Sequence, residues 1–174
     1  ILLLFTSIIS FSQNKRSLLR DGNKLYNDSS YNDAEMKYRK SLEKDQDYFN
    51  ASFNLADAIY KQERYDESSA LFEALKNNTS NNEELAKIYH NLGNSLLKEN
   101  KINEAIEAYK NALRIKPDDN DTRYNLVYAQ NQKSQEQNQE QNQEQNQEQN
   151  QEQNQEQNQE QNQEQNQEQN QEQN

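Results

Sequence analysis

The stretch from Ala86 to Asp119 reads AKIYHNLGNSLLKENKINEAIEAYKNALRIKPDD, and it decides the fold of this chain. Its apolar and small residues recur at the spacing of two amphipathic helices, with Leu92 and Gly93 in the first helix and Ala105 in the second. Pro117 closes the stretch, because its ring cannot continue a helix. The stretch therefore predicts two packed helices joined by a turn.

The same pattern recurs along the chain. A shift of 37 residues takes Gly93 back to Ala56, and a further 34 residues lead to Gly22. A fourth copy begins after the proline, since Leu126 lies 34 residues after Leu92, but it has only a first helix. We predict units at about residues 15–48, 49–82 and 86–119, followed by a capping helix at about residues 120–133.

This 34-residue helix–turn–helix unit resembles the tetratricopeptide repeat (TPR) family. The resemblance implies an all-α fold, a solenoid of three repeats with a C-terminal capping helix, and three units are enough for a stable array. The three extra residues between units two and three fall in KNNTSNNEE, residues 76–84, where we predict a lengthened loop. Arrays of this family usually bind other proteins, so we expect a non-catalytic scaffold.

One small residue in each unit predicts a close contact between its two helices. Gly22, Ala56 and Gly93 occupy this place, where a bulky side chain would push the two backbones apart. An aromatic residue follows sixteen positions later and is expected to fill the gap toward the next repeat. These aromatic residues are Tyr38, Phe72 and Tyr109.

The resemblance also implies a concave groove lined by the first helices, in which relatives bind extended peptides or partner helices. Here the groove places contain mainly amide and aromatic side chains. Asparagine offers a peptide backbone both a donor and an acceptor, and aromatic rings offer a large contact area. The predicted groove residues are Asn23, Tyr26, Asn27, Phe53, Asn54, Asp57, Tyr60, Lys87, His90, Asn94, Lys98, Tyr124 and Tyr128.

Some relatives use this groove as a clamp for a C-terminal carboxylate. Asn23, Asn54 and Lys87 match three of the clamp's places. Leu19 and Asn91 stand where the clamp requires a lysine and an arginine, so two positive charges are missing. A cytosolic co-chaperone-like adaptor that binds C-terminal peptides is therefore the alternative function.

Composition argues against catalytic, metal-binding and nucleic-acid-binding roles. The chain has no cysteine, a single histidine and two glycines, so it lacks the residues for a zinc site or a glycine-rich phosphate loop. Ten of its thirty acidic residues lie in the C-terminal tract, which leaves the remainder nearly neutral and without a basic stripe. We expect no catalytic residue, metal, cofactor or small-molecule substrate, and no nucleic acid as partner.

Both ends differ from the repeats. Residues 1–12, ILLLFTSIISFS, form an apolar run too short to span a bilayer, and we predict a signal peptide whose front is missing. Alternatively, this run extends the first helix. Residues 135–174 repeat QEQN ten times and provide nothing to bury in a core, so we predict a disordered low-complexity tail over residues 134–174.

Three segments resemble a narrower family: DGNKLYNDSSYNDAEMKYRKSLEKD (residues 21–45), ASFNLADAIYKQERYDES (51–68) and DDNDTRYNLVYAQNQKSQEQ (118–137). They are similar to the exported TPR protein of the Bat aerotolerance operon, a BatC/BatE-like protein. The resemblance implies a location in the bacterial periplasm. It also implies assembly with von Willebrand factor A-domain membrane proteins of the same operon.

Overall fold

The computed structural model describes residues 14–139, 141–143 and 145. The chain divides into two units, Ile1–Gln130 and Asn131–Asn174. All regular secondary structure in the described residues is helical, which confirms the predicted all-α TPR solenoid. None of the described helices is both long and apolar enough to cross a membrane. The predicted signal peptide, residues 1–12, lies outside the described residues.

The first unit consists of paired helices, one pair per repeat. In each pair the two helices pack against each other, and the second helix then packs on the first helix of the next repeat. A short 3-10 helix, Lys76–Asn78, follows the second pair. The α-helices are α1 Lys15–Asn27, α2 Tyr31–Lys44, α3 Phe49–Lys61, α4 Tyr65–Leu75, α5 Asn82–Lys98, α6 Ile102–Ile115, and α7, which begins at residue 120.

The turn within each pair has the same backbone geometry. Ser29, Glu63 and Asn100 occupy the left-handed region, with φ between 58° and 63°. The next residue donates its N–H to a carbonyl five positions earlier, as Ser30 does to Leu25 at 2.9 Å. This hydrogen bond ends the first helix and satisfies one of its terminal carbonyls. The turn therefore forms from backbone hydrogen bonds, although none of the three left-handed residues is a glycine.

The predicted close contacts within the flanking repeats are confirmed. A Cβ atom added at Gly22 would lie 2.5 Å from Cε1 of Tyr38, and one added at Gly93 would lie 2.5 Å from Cε1 of Tyr109. Any larger residue at either place would collide with the ring. The middle repeat has Ala56 at this place, so the contact between its two helices differs from that in the flanking repeats.

Three clusters of buried apolar residues form the core. Each cluster joins one repeat to the element that follows it, and the aromatic residue of the second helix lies at its centre. This confirms that these aromatic residues fill the gap toward the next repeat. One cluster contains Tyr38 and Ile59, the next contains Phe72 and Ile88, and the third contains Tyr109 and Ala129.

The third repeat begins earlier than predicted. The prediction of a lengthened loop over residues 76–84 is wrong for most of this range, because a 3-10 helix occupies Lys76–Asn78 and α5 begins at Asn82. The Asn81 side chain accepts hydrogen bonds from the backbone N–H groups of Glu83 and Glu84, at 2.9 and 3.3 Å. This N-cap and the acidic first turn stabilise four additional helical residues.

The capping helix extends beyond its predicted end near residue 133. Helix α7 starts at residue 120, where Asp119 Oδ1 accepts the N–H of Thr122 at 3.1 Å. In the second unit, residues 131–139, 141–143 and 145 are also helical, past the predicted end near Lys133. Gln and Glu are good helix formers, and this outweighs the small repulsion between glutamates four residues apart. The other residues of the predicted tail lie outside the described residues.

Candidate functional site

Three adjoining cavities follow the first helices α1, α3 and α5 and form what we call the first-helix groove. Their volumes are about 230, 190 and 260 Å³. Tyr26 and Asp57 line both of the first two cavities, and Asn91 lines both the second and the third. The predicted groove residues that line these cavities are Asn23, Tyr26, Asn27, Phe53, Asn54, Asp57, Tyr60, Lys87, His90 and Asn94.

The other predicted groove residues lie outside these three cavities. Lys98 is exposed near the end of α5, and Tyr124 and Tyr128 on α7 are 73% and 48% exposed. For every residue of the predicted groove, partner binding stays a prediction.

At the first repeat, the groove is organised by three hydrogen-bonded side chains. Asn23 Oδ1 accepts hydrogen bonds from Tyr38 Oη at 2.9 Å and from Asn54 Nδ2 at 2.7 Å. The carbonyl oxygen of Asn23 therefore uses both of its acceptor positions inside the protein. The hydrogen-bonding groups of Asn23 that remain are its N–H donors, rather than the donor and acceptor pair that its residue type suggests.

The third repeat contains the same arrangement. Asn94 Oδ1 accepts hydrogen bonds from Tyr109 Oη and from Asn125 Nδ2, both at 2.8 Å. Burial raises the pKa of Tyr109. The tyrosine hydroxyl therefore stays protonated at neutral pH and can act as a donor. Asn94 Nδ2 donates a long hydrogen bond to Asn91 Oδ1 at 3.4 Å, so Asn94 keeps one N–H donor without a partner among the described residues.

The middle repeat places an acceptor between these two donors. Asp57 stands at the place of Asn23 and Asn94, and its carboxylate accepts a hydrogen bond from Tyr26 Oη at 2.5 Å. Phe72 replaces the tyrosine of the flanking repeats, so no hydroxyl from that place reaches Asp57. Burial raises the pKa of Tyr26, and the hydrogen bond to Asp57 raises it further. The groove therefore has donor amides on either side of a central carboxylate.

The aromatic residues of the groove are held in place by other rings. Phe53 meets Phe72 edge to face, with a centroid distance of 5.4 Å. Tyr60 meets Tyr65 in the same way at 5.2 Å. Such pairs restrict ring motion, so a partner that binds on these rings loses little side-chain entropy from them.

His90 connects the third repeat to the capping helix. Its Nδ1 lies 2.7 Å from Oγ1 of Thr122, which is fully buried. Burial lowers the pKa of His90 in spite of the opposing effect of Asp119 and Asp121, so the ring is neutral at pH 7. Within the part of the chain that the structure describes, no group of His, Cys, Asp or Glu residues could hold a metal ion. His90 thus helps to dock α7 as well as lining the groove.

The geometry around the clamp places argues against capture of a carboxylate. Asp57 lines the same cavity as Asn23 and Asn54, where it would repel a second negative charge. Lys87 lies 2.9 Å from Glu83 Oε1, an ion pair that offsets its positive charge. Leu19 packs against an apolar cluster of the core.

Sequence reasoning missed four groove-lining residues that lie outside α1, α3 and α5. Tyr38 and Phe72 belong to second helices, yet their rings reach the cavities between the first helices. Asp119 and Asp121 come from the turn before α7 and its first residues, and they line the third cavity beside Phe53. A pattern confined to first-helix places omits such residues. The aromatic spacing described above was the available signal for the first two.

Family comparisons agree with this architecture. One profile described as tetratricopeptide repeat matches residues 86–119, and a second of the same description matches residues 25–92. Together the matches span more than half of the chain, which belongs to the tetratricopeptide repeat family. Proteins of this family mediate protein–protein interactions. No curated protein matches the sequence of this chain significantly.

Solved structures of TPR proteins have the same fold. The first TPR of Spaghetti (RPAP3) bound to the HSP90 peptide SRMEEVD is 20% identical with a TM-score of 0.65, over 74% of this chain and 99% of that one. The Sgt2 TPR domain from Aspergillus fumigatus is 16% identical (TM-score 0.63; 69% and 79% covered). MamA from Desulfovibrio magneticus RS-1 is 21% identical (TM-score 0.63; 70% and 67% covered).

Proposed function

We propose that this protein is a non-catalytic scaffold whose first-helix groove binds an extended segment of a partner protein. The observation that supports this most strongly is the order of groups along the groove: donor amides at Asn23 and Asn94 with the carboxylate of Asp57 between them. An extended peptide presents carbonyl acceptors and N–H donors in turn, so it complements such a series. The fixed aromatic rings add apolar contact.

The charge of the groove favours an internal segment over a C-terminus. A terminal carboxylate would approach Asp57, whereas a peptide N–H or a basic side chain would be attracted to it. RPAP3 has been solved with the HSP90 peptide SRMEEVD. This peptide is a useful probe for the alternative function, the co-chaperone-like adaptor.

We further propose that the partner lies at the bacterial cell envelope, in a Bat-type complex with von Willebrand factor A-domain membrane proteins. Two features of the sequence support this: the apolar run of residues 1–12 and the BatC/BatE-like segments, among them TRYNLVYA followed by a Gln-rich run. Fractionation of cells that express the full-length gene tests the location. Recovery of the protein from the cytosol alone would contradict export.

Co-purification from envelope extracts tests the groove. The variant combines Asn27→Ala, Tyr60→Ala and Tyr124→Ala, because these side chains contribute to the predicted groove but to none of the hydrogen bonds that join the repeats. A matched control combines Asn32→Ala, Lys40→Ala and Glu43→Ala on exposed positions of α2. Circular dichroism verifies that both variants are folded.

We expect the groove variant to lose the partner that the wild type and the α2 control retain. Equal recovery with all three proteins would reject the groove as the binding site. In parallel, SRMEEVD is titrated as the free acid and as the C-terminal amide. Binding of the free acid alone would support the co-chaperone-like adaptor in place of the scaffold that we propose.

A further inference from the structure

The charged residues that face each other between successive second helices differ from one pair of helices to the next. Between α2 and α4, Arg39 Nη2 lies 2.9 Å from Glu67 Oε1, and this ion pair bridges the two helices. Between α4 and α6, Glu73 stands at the place of Arg39, and Glu104 stands at the place of Glu67. Two carboxylates therefore occupy places where the preceding pair of helices forms an ion pair.

An open groove lies between α4 and α6, and we call it the outer groove. Its two overlapping segments have volumes of about 350 and 430 Å³ and share Glu73, Leu92, Leu96 and Glu104. The two leucines belong to α5 and give the groove an apolar floor, while carboxylates, including that of Asp66, line its rim. Lys76 and Lys101 also line the groove and pair with Glu73 and Glu99, but five carboxylates against two lysines leave the groove acidic as well as apolar.

A buried carboxylate oxygen in this groove has no hydrogen-bond partner. Glu99 lines the outer groove, and its side chain is only 9% exposed. Its Oε2 lies 2.7 Å from Lys101 Nζ, but its Oε1 is buried without a hydrogen bond. An unsatisfied charged oxygen in such a place costs free energy that a donor entering the groove would recover. This observation is independent of the acidic rim.

The charge distribution points to an organic cation as the donor. The carboxyl groups of the described residues do not converge into a metal site. The hydrogen bond and the charge of Glu99 raise the pKa of Lys101, and Glu104 and Asp66 raise it further. The negative field around the groove thus attracts positive charge. A guanidinium group has several N–H donors in a planar fork that fits carboxylates, and its stem packs on apolar surface.

We infer that the outer groove is a second docking site, which binds a partner segment with an arginine next to an apolar residue. The guanidinium group lies toward Glu99 and Glu104, and the apolar side chain lies on Leu92 and Leu96. This site is formed by residues of α4, α5 and α6 that do not line the first-helix groove. It extends the proposed scaffold function, since one chain would then bind two segments at once.

NMR titration of the ¹⁵N-labelled full chain with acetyl-leucyl-arginine amide tests the inference. We expect saturable shifts of the amide signals of Leu96, Glu99 and Glu104. Glu99→Gln is expected to raise the dissociation constant about tenfold, the effect of losing one charge-assisted hydrogen bond. Glu104→Gln, at an exposed position, provides a second variant if the first is not folded.

Two controls define the result. Acetyl-leucyl-citrulline amide has the same shape without the charge, and Glu43→Gln removes an exposed carboxylate of α2, outside the groove. We expect weak binding of the citrulline peptide and unchanged binding to the Glu43→Gln variant. Equal affinity for the two peptides, unchanged affinity in both groove variants, or shifts confined to the first-helix groove would each overturn the inference. Loss of partner binding at the first-helix groove would leave this result unaffected.

Discussion

The contact between repeats one and two differs from the contact between repeats two and three. Across the first contact, Asn54 donates to Asn23, Tyr26 donates to Asp57, and charged residues bridge α2 and α4 on the other side. Across the second, buried apolar residues meet around Phe72 and Ile88, and the outer surface is left open. Both contacts bury an apolar cluster, and the buried hydroxyls of Ser68 and Ser95 meet at 3.0 Å across the second, but the first adds polar contacts along the groove and ion pairs on the outer face.

This difference lies in the residues of the outer face and not in those that pack each helix pair. The places that pack the two helices of a unit keep a small residue, which is Gly22, Ala56 or Gly93. The places on the outer face are free to change, so Arg39 of one junction has Glu73 as its counterpart in the next. Stability at the second junction then depends on apolar burial, and the outer carboxylates Glu73 and Glu99 pair with lysines close in sequence instead of bridging two second helices.

The largest effect is expected from Ile88→Ala at the second junction. Ile88 is fully buried between repeats two and three, so the cavity should lower the free energy of unfolding by about 2–5 kcal/mol. Urea unfolding followed by circular dichroism measures the loss, which should be the same at low and high salt. Ile88→Val is the control, with an expected loss of about 0.5–1.5 kcal/mol. A loss under about 1 kcal/mol for the alanine variant would contradict the importance of this cluster.

Arg64→Gln should weaken the first junction by a smaller amount. Arg64 Nη1 lies 2.7 Å from Glu35 Oε2, and Arg64 also pairs with Glu67. Because the arginine side chain is 41% exposed, solvent screening limits the expected loss to about 1 kcal/mol in dilute buffer. At about 1 M NaCl the loss should shrink, since the Debye length falls to about 3 Å. A loss independent of salt would contradict an electrostatic origin, and Lys40→Gln on exposed α2 is the control.

Glu73→Arg should make the second junction more like the first. It restores the residue type of Arg39 at a place where Glu73 and Glu104 line one cavity. The change also removes the ion pair of Glu73 with Lys76, and surface ion pairs contribute little, so we expect a net gain of only a few tenths of a kcal/mol, seen as a higher urea midpoint. The reverse change, Arg39→Glu, should lower the midpoint. If Glu73→Arg destabilised the protein, the two junctions would not be equivalent in geometry.

The smallest effect concerns the pH dependence of the first junction. Burial raises the pKa of Glu35, but hydrogen bonds from Gln62, Arg39 and Arg64 outweigh it and hold the pKa below its ordinary value. A lowered pKa means that the ionised carboxylate stabilises the fold above the unfolded value of about 4.3 and that this contribution is lost as pH falls through the folded pKa. Stability measured from pH 6 to pH 3 should therefore decline less steeply in Glu35→Gln. Identical slopes would exclude this contribution.

The sequence predicts the packing inside each repeat well, because close helix crossings admit few residue types. Gly93 and Tyr109 indicate their contact through spacing alone. The start of α5 was missed because the cap at Asn81 depends on local hydrogen bonds outside the repeat pattern.

The sequence predicted where the first-helix groove lies, but not how hydrogen-bond donors and acceptors are arranged in it. Residue types place Asn23 and Asn94 on the first helices, and most of the predicted residues do line cavities there. Which side of an amide faces a ligand depends on the tyrosine hydroxyl of one helix and the asparagine of the next repeat. A spacing pattern does not specify hydrogen bonds among three side chains that belong to three different helices. The outer groove was not predicted, since it arises from a change of charge between junctions.

Each of the three apolar clusters links one repeat to the next part of the solenoid, and this has a consequence for partial unfolding. A molecule held by nearest-neighbour contacts can open at one boundary while the segments on either side stay folded. The boundary between repeats two and three lacks the bridging charges of its predecessor. Amide hydrogen exchange should therefore be faster in α4 and α5, the helices that face this boundary, than in α2 and α3, and a guest that spans the boundary would slow it.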